Sequence, residues 1–183
     1  MNDPSSADLY IGSVARLAMA FEMTPSEIGT FEPLTPDQLP AAYRTLLAHT
    51  GHMTITLEAF HNSLVDVQPL REAKDHASYA REILLSRQSD GVVVQYGLMR
   101  IWLADLPAEV RKEIAARQTP LGRVLIRHGL LRDVELLTLW RLRPSDKVCQ
   151  HLGTTVDEMV YGRSAQILVD QRPTVQLLEI VRV

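Results

Sequence analysis

Two pairs of alternating apolar segments, each closed by a tight turn, constrain the fold of this chain more than any other feature. Residues 77–87 and 92–103 are joined through Ser89-Asp90-Gly91, and residues 159–169 and 173–183 turn at Asp170-Gln171-Arg172. Successive side chains of a strand point to opposite faces, and Asp-Gly dipeptides supply the backbone that a tight reversal needs. Such pairs are antiparallel. Residues 64–70 and 134–143 carry the same pattern, and Met53, Ile55, Leu57 and Ala59 alternate with polar residues as in a strand. Helices fall between them. Thr35-Pro36 reads as an N-cap and first helical residue, opening a helix to about Ala48. Pro107 and Thr119-Pro120 open two more, the second ending at Gly129, and residues 145–152 form another ending at Gly153. Residues 8–22 fit a short helix. Strand pairs joined by turns, with helices inserted in blocks, predict an α+β fold on an antiparallel sheet. The strand–helix–strand alternation and glycine-rich phosphate loop of a nucleotide-binding fold are both missing.

At 183 residues and 46% hydrophobic content the chain suits one domain with a real core. Prolines 25, 33, 36 and 40 punctuate a lead-in, so residues 1–34 are read as an extension (an arm or a lid) and 35–183 as the domain. No apolar run reaches the ~18 residues of a membrane helix and no secretory signal is visible, so a cytoplasmic location without membrane contact is expected. One cysteine, Cys149, excludes a disulfide framework and reads as a structural thiol. The net charge of −3 supplies no field for nucleic acid. Arg123, Arg127, Arg132, Arg141 and Arg143 lack interleaved aromatics apart from Trp140 and read as a solvated face. His49, His52, His61 and His76 do not complete a recognised ligand spacing, so no metal is expected.

Three charges break the strand pattern. Arg81 shares a face with Tyr79, Ile83 and Leu85; Arg163 with Tyr161, Ala165 and Ile167; Glu179 with Leu177 and Val181. An unpaired charge inside a protein costs several kcal/mol, so each must be paired or face a ligand. One reading is a buried Arg–Glu bridge without chemistry. The other is an enclosed pocket with cationic anchors and a carboxylate, built for a small anionic ligand. Arg100 is ambiguous, because both faces of its strand are apolar.

These residues also resemble a known family. Met53-Thr54, Arg81-Glu82-Ile83-Leu84-Leu85, Thr119-Pro120-Leu121-Gly122-Arg123, Tyr161-Gly162-Arg163-Ser164 and the closing segment to Glu179 resemble, in order, motifs of the chorismate pyruvate-lyases (4-hydroxybenzoate synthases). The resemblance runs from Thr35 to the C-terminus. It implies a six-stranded antiparallel sheet with helices packed on it and an enclosed ligand cavity. It also implies a lyase without cofactor that eliminates pyruvate from chorismate to give 4-hydroxybenzoate, a quinone precursor. Glu179 would be the acid and Arg81 the carboxylate anchor, with Arg163, Arg123 or Arg100 as further anchors and Met53 and Leu121 as apolar walls. The alternatives are a non-catalytic module of the same fold that binds an aromatic or carboxylic acid, as in the effector domains of bacterial transcription regulators, or a related enzyme with another enolpyruvyl or polyketide substrate.

Overall fold

A computed structural model describes residues 4–130 and 133–183, with side chains from residue 11 onward, so Arg132 lies outside the described residues. Seven strands form one sheet: β1 (Gly29–Leu34), β2 (Val65–Lys74), β3 (Tyr79–Arg87), β4 (Val93–Ile101), β5 (Asp133–Pro144), β6 (Val160–Val169) and β7 (Arg172–Val181). Their order is β1-β5-β6-β7-β4-β3-β2, and every neighbouring pair is antiparallel. The described α-helices are α1 (Pro4–Met19), α2 (Ala41–Leu47), α3 (Met53–His61), α4 (Ala108–Ala116), α5 (Leu121–Arg127) and α6 (Asp146–Leu152). None of them is long and apolar enough to cross a membrane.

The α+β class holds, with seven strands where six were expected. The additional strand, β1, comes from the segment read as an extension. Pro33 masked it in the sequence, but β1 is an edge strand, where a sheet tolerates proline. Gly29 lies so near β5 that a Cβ there would sit 2.5 Å from the Arg143 carbonyl oxygen. Residues 11–34 are built into the same sheet and core as the rest.

Two other expectations change. Residues 53–59 are helical, not a strand. Met53, Thr54 and Leu57 are buried while Ile55 is half exposed, so the apolar residues that alternate by two also satisfy the helical spacing of four. The helix expected over 35–48 splits into a 3-10 turn (Pro36–Gln38) and α2, because Pro40 between them has no N–H to continue it.

The sheet is buried on both faces. Ile83, Leu85, Met99 and Leu177 pack under α2–α5, against Leu46, Leu57, Val110 and Leu125. Ala80, Leu84, Tyr96, Leu178 and Ile180 face the other way, against Val14 and Leu17 of α1 and Val148 and Leu152 of α6. Each large apolar side chain so enclosed contributes about 1.5–3 kcal/mol. Central strands covered twice have little room for charge, which makes their charged residues informative.

Candidate functional site

One row of directly opposed residues crosses the middle of the sheet: Ile83 on β3, Gly97 on β4, Glu179 on β7, Arg163 on β6 and Leu139 on β5. Strand phase puts all of them on the face covered by α2–α5. Arg163 Nε donates to Glu179 Oε2 at 2.7 Å, with the two side chains 1% and 8% exposed. Arg163 Nη1 donates to the His49 carbonyl at 2.8 Å, tying the pair to the turn between α2 and α3. Gly97 places no side chain in the row beside Glu179.

Beside Arg163 and Glu179 lies a cavity of about 50 Å³, several times the ~10–15 Å³ that one water needs. Its walls are Met53, Ile83, Leu85, Met99, Leu121 and Leu177. Its polar groups are Arg163, Glu179, Gln95, His52 and Thr54. Gln95 is 3% exposed and its Oε1 has no hydrogen-bond partner among the described residues; the buried Nδ1 of His52 has none either. A buried amide oxygen without a partner costs about 1–3 kcal/mol, so the cavity is better suited to holding a polar guest than to standing empty.

His49 holds Arg163 from the turn that supplies Gly51 and His52 to the cavity wall. Its Nδ1 accepts the Gly51 N–H at 3.0 Å and its Nε2 lies 2.8 Å from the Leu46 carbonyl, which assigns the proton to Nε2. Burial, and then the neighbouring Arg163 guanidinium, push its pKa below the usual histidine range.

Four of the residues singled out in the sequence meet at this cavity: Met53, Leu121, Arg163 and Glu179. Three do not line it. Arg81, 1% exposed, donates from Nε to the Tyr79 hydroxyl at 2.6 Å and from Nη2 to the Ile114 carbonyl, with Glu72 3.7 Å away. Glu72 stands directly opposite Arg81 on β2, so the cation is satisfied by its own sheet and by α4. Arg100 lies at the sheet end, bonded to Asp75 and Ser78 at 2.8 Å each. Arg123 pairs with Glu58 of α3. The net charge of the cavity pair is therefore zero, where two cations to one anion had been expected.

Two features went unread in the sequence. Gln95 is the polar intruder on the Val93, Gln95, Gly97, Met99 face of β4, and the phase rule applied to Arg81 would have found it. Glu82, fully buried on the opposite face, accepts from Arg71 at 2.6 Å, Lys147 at 2.5 Å and the Tyr96 hydroxyl at 2.8 Å. Burial opposes its charge, but these three hydrogen bonds outweigh burial and hold its pKa below the usual carboxylate range. Its partners lie at least 11 residues away in sequence, which no local pattern reveals.

No family model matches the sequence, and no curated protein does. Solved structures do. The effector domain of PhnF from Mycobacterium smegmatis superposes with a TM-score of 0.58 at 14% identity, over 82% of this chain and 91% of that domain. This is the fold of the GntR-type effector domains. A second structure of PhnF from the same organism gives the same TM-score over 73% of this chain, which spans 64% of that chain. The ligand-binding domain of a GntR-family transcriptional regulator from Bordetella bronchiseptica follows at 0.51 and 10% identity, over 65% of this chain and 86% of that one. These likenesses establish fold. They also correct the expectation of a pyruvate-eliminating lyase acting on chorismate: these neighbours are the effector domain of PhnF and the ligand-binding domain of a GntR-family regulator, not lyases.

Proposed function

We propose that this chain is a small-molecule-binding module of the effector-domain type, with its ligand held in the cavity on the Arg163–Glu179 row. The observation that carries this reading is an apolar cavity containing a buried ion pair and an amide oxygen without a partner, in a fold whose solved neighbours are ligand-binding domains. Arg163 and Glu179 together present donors and an acceptor, and Gln95 adds either, so a compact ligand bearing both kinds of group fits. A carboxylic acid with a hydroxyl or amino group is one such ligand. The cavity is small, so admitting such a molecule requires α3 and α5 to move outward from the sheet, which gives binding a conformational output.

The test is thermal-shift screening with small hydroxy, amino and aromatic acids, followed by titration calorimetry. A true ligand at 100 times its Kd adds about 2.7 kcal/mol of stability. Its affinity should fall at least tenfold in Leu121→Phe, which fills the cavity, and in Gln95→Leu. A ligand that binds both variants as tightly as the parent protein sits elsewhere, and the reading is then wrong.

A further inference from the structure

A second hollow lies outside this cavity, at the end of the sheet where β2 and β3 meet α4. It measures about 280 Å³ and is floored by Ala73, Leu103, Ile114 and Ala115. A neighbouring hollow of about 350 Å³ shares Lys74, Leu103 and Arg111 with it. Lys74 and Arg111 thus stand where the two meet.

The charge around them is unbalanced. Glu72 accepts the Tyr79 hydroxyl at 2.5 Å and lies 2.9 Å from Arg117 and 3.7 Å from Arg81, so one carboxylate serves two guanidiniums. Asp75 is committed to Arg100 and to the amides of Ala77 and Ser78, and its pKa is held down at about 2, chiefly by those amides. Lys74 and Arg111 have no side-chain hydrogen bond and no carboxylate partner among the described residues, and both are exposed. A local excess of cations on a chain of net charge −3 is not explained by general basicity. Nor is it needed for the fold, because neither side chain anchors anything. A monoanion would neutralise only one of the two free cations.

We propose that this hollow binds a small organic dianion, a phosphate monoester, with its phosphate between Lys74 and Arg111 and its apolar body on Leu103, Ile114 and Ala115. Arg111 supplies the planar guanidinium fork and Lys74 a compact point charge, a pairing suited to phosphate oxygens. Arg117, fixed by Glu72, adds a third positive charge at the edge. The site shares no lining residue with the Arg163–Glu179 cavity, so it stands or falls independently of that reading.

Phenyl phosphate, inorganic phosphate and benzoate serve as probes, in titration calorimetry on the full chain at constant ionic strength. Phenyl phosphate is expected to bind saturably, more tightly than inorganic phosphate and at least tenfold more tightly than benzoate. Arg111→Ala and Lys74→Ala should each weaken it at least tenfold while leaving Tm within about 2 °C. Arg127→Ala, which removes an exposed arginine paired with Glu113, should leave it unchanged. The proposal is overturned if benzoate matches phenyl phosphate, if Arg111→Ala or Lys74→Ala binds normally, or if Arg127→Ala weakens binding as much as they do.

Discussion

Replacing Glu179 by glutamine leaves Arg163 as a guanidinium 1% exposed to solvent whose remaining partners are the carbonyl and ring of His49. Stranding one member of a buried pair costs about 3–5 kcal/mol. Glutamine keeps one acceptor oxygen, so this variant belongs at the lower end, and Arg163→Met, which strands the carboxylate, at the upper. For a chain of this length the unfolding entropy near Tm is about 0.4 kcal/mol per kelvin, so the single variants should lose about 8–13 °C. The double variant Arg163→Met/Glu179→Leu removes both charges and should regain at least half of that loss, because burying two apolar side chains avoids the desolvation that the ion pair incurs. Urea unfolding followed by circular dichroism, on the parent, both singles and the double, yields the coupling directly. The reasoning fails if each single costs under about 1 kcal/mol, which would mean cavity water solvates the pair. It fails equally if the double variant loses the sum of the singles.

The remaining predictions concern other parts of the frame. A Cβ on Gly162 would sit 2.6 Å from the Glu179 carbonyl oxygen and 3.2 Å from the Ile180 Cα; Gly162→Ala should therefore cost about 1–3 kcal/mol by forcing β6 from β7, seen as a Tm loss without a change in m. Arg81→Met should destabilise through loss of the Ile114 carbonyl and Glu72 contacts, raise hydrogen exchange in α4 and leave cavity-ligand affinity within twofold; a large affinity loss at intact stability would make Arg81 a ligand contact after all. His49, His52, His61 and His151 all have pKa values pushed below 6.5, chiefly by burial. The unfolded chain then binds more protons as pH falls through 6.5, so stability should decline from pH 7.5 to 5.5; His49→Gln should flatten part of that slope, and a flat parent profile would refute the assignment.

How much was legible varies with the range of the interaction. The four strands of the two hairpins, the caps at Gly129 and Gly153, and the inward phase of Arg81, Arg163 and Glu179 all follow from residues within a few positions of one another. Periodicity reports which face a side chain takes, and it did so for all three charges. It does not report what stands opposite. Arg163 and Glu179 meet because β6 and β7 pair with those two residues in register, whereas Arg81 meets Glu72 because β2 pairs beside β3. By phase the three charges are equivalent; in space two form a cavity wall and one a brace beneath α4. Residues 53–59 fit both periods, and only the packing of Met53 and Leu57 against the sheet selects the helix. Fold class and the inward direction of the charges are written within single segments of the chain, because both are consequences of local backbone geometry. Which charges are neighbours, where the cavity lies, and that its pair is neutral were decided only by tertiary structure, because strand order and register join residues that the chain keeps far apart.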